Sequence, residues 1–94
     1  MKIAVNTTFG GFGFSDPAID ELGFSWDIDR TDPKLINLIE TKGSTWISDR
    51  LSSVGIATIP DNITDWRIHE YDGKETVLYV VDGKIREAVG ERVD

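Results

Sequence analysis

The chain has 94 residues, with 17 acidic and 10 basic side chains for a formal charge of −7, three Trp, four Phe, two Tyr and no Cys. That length suits a single domain over residues 1–94, and a composition 39% hydrophobic and 29% charged is that of a globular chain. The lack of Cys excludes disulfides, thiolate catalysis and Cys-based zinc sites, and the acidic balance argues against direct nucleic-acid binding, whose affinity comes largely from Lys and Arg on phosphates.

The opening Met1-Lys2-Ile3-Ala4-Val5-Asn6 turns polar too soon for a signal peptide. No apolar run approaches the ~20 residues of a membrane span, so a cytoplasmic protein with no membrane partner is expected. Lys2 to Thr8 alternate around Ile3 and Val5 and predict a strand. The glycine-rich run from Gly10 to Gly13 breaks it. Asp16-Pro17 then signals a helix, with Asp16 as N-cap and Pro17 at the first helical position; Ala18, Ile19 and Leu22 follow, and Gly23 ends it.

Asp32-Pro33 repeats the start signal, and Leu35, Ile36, Leu38 and Ile39 fall on one helical face before Gly43. Between Ser44 and Val54, the residues Trp46, Ile47, Leu51 and Val54 fit either a short helix or a loop that drops anchors into the core. Ile56-Ala57-Thr58-Ile59 reads as a strand closed by Pro60-Asp61-Asn62. Trp66 to Tyr71 alternate, Asp72-Gly73 predicts a type I′ turn, and Thr76 to Val81 return. A second Asp82-Gly83 leads into a strand over Lys84 to Ala88. Val77 to Val81 are apolar on both faces, which predicts a central strand covered on each side. Gly90 to Asp94 read as a frayed tail. The fold expected is α+β: an N-terminal strand, two short helices, and an antiparallel β-meander with the helices packed on one side.

Several clusters could carry chemistry. A strand, glycine loop and helix invite a phosphate site, but the dinucleotide pattern puts its third glycine at Asp16, and no base lies between Lys2 and Arg30. Phe9, Phe12 and Phe14 alternate with glycines, and such rings either plug the core or anchor a partner. Asp27, Asp29 and Asp32 are candidates for a divalent cation, although their spacing is not that of an EF-hand. The plainer reading has Asp32 capping its helix and Arg30 neutralising a neighbour. His69, the lone histidine, is in phase with Arg67 and Tyr71 and out of phase with Trp66 and Ile68, which predicts an exposed strand histidine. Glu70 and Glu75 flank the first turn as rim charges. Trp26, Trp46 and Trp66 are evenly spaced, but their flanks differ and imply no repeat.

Three segments together resemble a family of small, uncharacterised proteins encoded by bacteriophages and prophages. They are Met1-Lys2-Ile3-Ala4-Val5-Asn6 leading into Gly10-Gly11-Phe12-Gly13-Phe14-Ser15, then Asp27 to Leu35, then Ile59-Pro60-Asp61-Asn62 with Trp66 to Gly73. The last twenty residues depart from the pattern. The resemblance implies a phage context, in which small accessory proteins bind and inhibit host proteins, and no catalytic residues or cofactor. The expectation is therefore a non-enzymatic protein that binds a host or phage protein, one with a basic surface, through Phe12, Phe14, Asp16, Asp20 and Asp27. Two alternatives stand beside it: a module sequestering a small molecule or metal, and a virion or assembly protein that forms a homodimer.

Overall fold

A computed structural model of the chain describes residues 1–23 and 28–94. In order the elements are β1 (Lys2–Asn6), α1 (Asp16–Leu22), α2 (Pro33–Lys42), α3 (Ser44–Ile47), β2 (Val54–Thr58), β3 (Trp66–Tyr71), β4 (Lys74–Val81) and β5 (Lys84–Val89). β1 and β2 pair antiparallel as a two-stranded ribbon, and β3-β4-β5 form a separate antiparallel sheet. The architecture is α+β, with the expected N-terminal strand, helices and meander.

The ribbon is the middle of three layers. Strand side chains alternate between faces, and here each face is buried against a different layer. Ala4, Val54 and Ile56 join Ala18, Leu35, Ile36, Ile39 and Ile47 in one core cluster on the helical side. Ile3, Val5 and Ala57 turn the other way and pack with Ile59 and Val77 against Trp66, Ile68 and Tyr79 of the meander. The register sets Ile3 beside Ala57 and Val5 beside Gly55, so each large residue meets a small one. The helices thus lie on the ribbon, which separates them from the meander.

Local signals explain most element ends. Asp32 caps α2, its carboxylate accepting the Lys34 N–H at 2.8 Å, and the Gly43 N–H closes the helix on the Ile39 carbonyl at 2.8 Å. At α1 the cap is Ser15 rather than Asp16: Ser15 Oγ accepts from the Ala18 N–H and donates to the Trp46 carbonyl at 2.7 Å. The hydroxyl can donate and accept at once, so it ties α1 to α3 while capping it, which a carboxylate cannot do. Asp16 becomes an exposed residue of the first turn. The ambiguous stretch resolves as both alternatives in succession, the short helix α3 and then a loop in which Leu51 is exposed.

Two further expectations are corrected. β4 is the central strand, but among the described residues only its Val77 face is covered; Leu78 and Val80 on the other face are half-buried and belong to neither core cluster. The ribbon covers one side of a three-stranded sheet, and the helices are spent on the ribbon. Nor is the tail frayed. Glu91 exchanges two 2.9 Å backbone hydrogen bonds with Ile56, extending the contact of the meander with β2, and the Val93 carbonyl accepts from the Ser44 N–H at 2.5 Å. Among the described residues no helix is long and apolar enough to cross a membrane.

Candidate functional site

The glycine-phenylalanine loop is fastened along its length. Gly10 donates to the Asp72 carbonyl at 3.2 Å, the Gly13 carbonyl accepts from Ser52 Oγ at 2.8 Å, Phe14 bridges to Ser48, and the Ser15 N–H donates to the Ile47 carbonyl. Gly10 passes so close to the Leu51 carbonyl that a Cβ would collide with it. The loop lies between the α3–β2 connection and the first meander turn.

Phe12 and Phe14 are half-buried and pack against the helical core, edge to face with ring centroids 4.9 Å apart. That geometry is favourable for aromatic pairs. Phe9, 59% exposed, is the ring of the three that faces water.

Beneath the loop lies a buried polar network. The Arg30 guanidinium sits 3.5 Å from the Phe12 ring centroid and donates to both oxygens of Glu75, at 2.7 and 3.1 Å. Arg30 also donates to the Ala4 carbonyl, and its own carbonyl accepts from the Ala4 N–H. Glu75 accepts the backbone N–H of Asn6 at 2.8 Å. The buried Asn6 amide donates to the carbonyls of Thr8 and Gly73, each at 2.6 Å, and accepts from the Ser53 N–H at 2.8 Å. Among the described residues no buried side-chain polar atom lacks a partner.

Arg30 is therefore engaged with Glu75 and forms no ion pair with Asp29 or Asp32, and Glu75 is a buried partner rather than a rim charge. The signal was present in the strand phase: Glu75 shares the inward face with Val77 and Tyr79. Glu70 does stay at the rim, where it accepts the Gly73 N–H at 2.7 Å.

The acidic candidates lie elsewhere. Asp16 and Asp20 are exposed on α1, and Asp20, Glu21, Pro17 and Trp46 line a shallow open hollow between α1 and α3. Lys42 reaches over the Trp46 ring, its ammonium 5.3 Å from the centroid. Asp27, like Trp26, lies outside the described residues. Asp29 accepts from the Thr31 N–H and hydroxyl at 2.9 and 2.7 Å, and these bonds, the backbone one foremost, hold its carboxyl below the usual aspartate value. Asp32 is the α2 cap. Among the described residues no three His, Asp or Glu side chains are grouped to hold a metal ion.

On the meander, Arg67, His69 and Tyr71 share the outer, exposed face, as their phase predicts. The chain matches no family model, no curated protein and no solved structure.

Proposed function

We propose that the chain is a non-catalytic, phage-encoded accessory protein that binds a host or phage protein with a basic surface and inhibits it by occupying that surface. The contact face is α1 with the hollow beside Trp46. What supports this reading is the charge around that helix. Asp16, Asp20 and Glu21 are exposed there, and Arg30, the nearest base in sequence, is consumed by Glu75. An aromatic wall beside two carboxylates suits a Lys or Arg side chain, since cations favour both π faces and carboxylates. Lys42, the base that does lie beside the hollow, approaches Trp46 in this way, and a partner's cation would displace it from the ring. Phe12 and Phe14 enter as the support beneath the loop rather than as contact rings.

Complementary charge of this kind speeds association and makes it salt-sensitive. The test is capture of partners from host lysate, with identification by mass spectrometry, using the unmodified chain and a D20K/E21K variant. Both positions are exposed, so the variant keeps its fold, as circular dichroism can verify. The reading expects a basic partner that is captured at low salt, lost at high salt and lost in the variant. A partner retained equally by the variant would sink the assignment to α1.

A further inference from the structure

The outer face of the meander points to a second surface, independent of α1. Pairing aligns side chains in rows across the three strands. One row reads Arg67, Leu78, Glu87; the next reads His69, Thr76, Val89; Val80 and Ile85 form another. Tyr71, Ile85 and Val89 are 71%, 72% and 56% exposed. Leu78, Val80 and Ile85 adjoin across β4 and β5 outside both core clusters, while Val89 lies beside Thr76 and Tyr71 beside Lys74 toward the other end of the face.

The charges on this face are asymmetric. Arg67 stands on β3 and Glu87 on β5, with Leu78 between them on β4. Among the described residues neither forms an ion pair. Glu87 is held on the face by Thr76, whose hydroxyl donates to one carboxylate oxygen at 3.0 Å.

We propose that this face binds a second copy of the chain, sheet against sheet, about a two-fold axis lying in the face and running close to β4. Such an axis carries β3 of each copy over β5 of the other. Arg67 then meets Glu87 of the second copy twice over, and Leu78 meets Leu78 at the centre. At Arg67 and Glu87 the face is self-complementary in the sense that an isologous contact requires, whereas Lys74 comes opposite Lys74 at one end of β4. Aligned sheets pack about 10 Å apart with strands rotated by about 30°, so Leu78 and Val80 interdigitate along one half of the axis while Arg67 and Glu87 close the flanks, with Thr76 and Lys74 along the other half. Strands of six to eight residues make a small patch. Association is therefore weak and concentration-dependent, in the class of interfaces near about 1,200 Å² in total.

The experiment is sedimentation equilibrium over a wide concentration range, on the unmodified chain and on I85D, R67E, E87R and R67E/E87R variants whose fold is checked by circular dichroism. The unmodified chain is expected to pass from monomer to dimer. I85D abolishes the dimer, and each single charge reversal weakens it roughly tenfold or more by setting like charges opposite one another. The double reversal restores it, because the complementary pairs are re-formed with exchanged signs. A chain that stays monomeric at millimolar concentration overturns the proposal. So does a dimer indifferent to R67E and I85D, which would instead indicate pairing through the backbone edge of β3 or β5. Capture of host proteins through α1 is scored separately and does not depend on this result.

Discussion

Arg30 and Glu75, 45 residues apart in sequence, meet in a two-pronged ion pair with hydrogen bonds of 2.7 and 3.1 Å. The pair links the segment before α2 to the central strand of the meander, past the end of the ribbon. Its arginine is roofed by Phe12, and its carboxylate also holds Asn6 of β1. The loop that most resembles a ligand site is thus stacked over a structural joint.

Removing Glu75 leaves the partly exposed Arg30 with the Ala4 carbonyl and the Phe12 ring alone and strips the Asn6 N–H of its acceptor, a loss of about 1–3 kcal/mol. Glu75→Ala is expected to destabilise at that scale in urea or thermal unfolding. Phe12→Ala in the same assay should cost less, and the double variant should cost less than the sum, because Phe12 acts partly through Arg30. Additive losses would separate the ring from the ion pair.

The two meander turns provide an internal control. Gly73 and Gly83 both take positive φ, at 90° and 74°. A methyl at Gly83 meets open space, whereas at Gly73 it presses into the backbone nitrogens of Gly10 and Gly11. Gly83→Ala is expected to cost only the strain of the left-handed conformation, about 1–2 kcal/mol. Gly73→Ala adds an overpacking cost of about 1–3 kcal/mol and displaces the Gly-Phe loop. Equal melting temperatures for the two variants would contradict the docking of that loop on the turn.

Asp29 supplies a pH test. Its carboxyl is held below the ordinary aspartate value by the Thr31 N–H first and the Thr31 hydroxyl second. A lowered folded-state pKa means that the turn's stabilisation is complete above the usual carboxylate range and fades as pH falls through the lowered value. In Thr31→Val the hydroxyl is lost and the N–H remains, so the Asp29 titration observed by NMR should move part of the way back up. An unmoved titration would remove the hydroxyl's role.

The docking of the chain's last residues can be read by hydrogen exchange. Val93 accepts the Ser44 N–H, and its own N–H donates to Ser44 Oγ at 2.8 Å, while Glu91 pairs with Ile56. Removing residues 91–94 should make the amides of Ser44 and Ile56 exchange quickly while those of β4 stay protected. It should also lower stability by about 0.5–1.5 kcal/mol for each hydrogen bond lost, since the freed groups are then hydrated. Unchanged protection at both amides would show that the contact contributes nothing.

Features written in local patterns were legible in the sequence. The Asp32 cap, the Gly23 and Gly43 stops, the two Asp-Gly turns and the outward phase of His69 need only near neighbours to specify them. What escaped depends on distant partners. Ser15 outcompetes Asp16 as the α1 cap because it also reaches the Trp46 carbonyl. Glu75 read as a rim charge because its compensating arginine belongs to a segment that no period connects to β4. Val77 to Val81 predicted two covered faces, but the layer that would cover the second is occupied elsewhere. The acids of α1 were visible as residues; the hollow they share with Trp46 depends on how α1 and α3 pack.

The ribbon also shapes how the chain must fold. The meander joins strands through two-residue turns, so its contacts are local and close quickly. β1 instead pairs with β2 in a register that sets Asn6 beside Val54, across the whole helical segment. Closing so long a loop carries an entropic cost that must be met before any ribbon hydrogen bond forms, and non-local pairing of this kind slows folding. Because the ribbon is the floor of one core and the roof of the other, neither core is complete until that single closure occurs. Helices and meander are thereby bound through β1 into one cooperative unit.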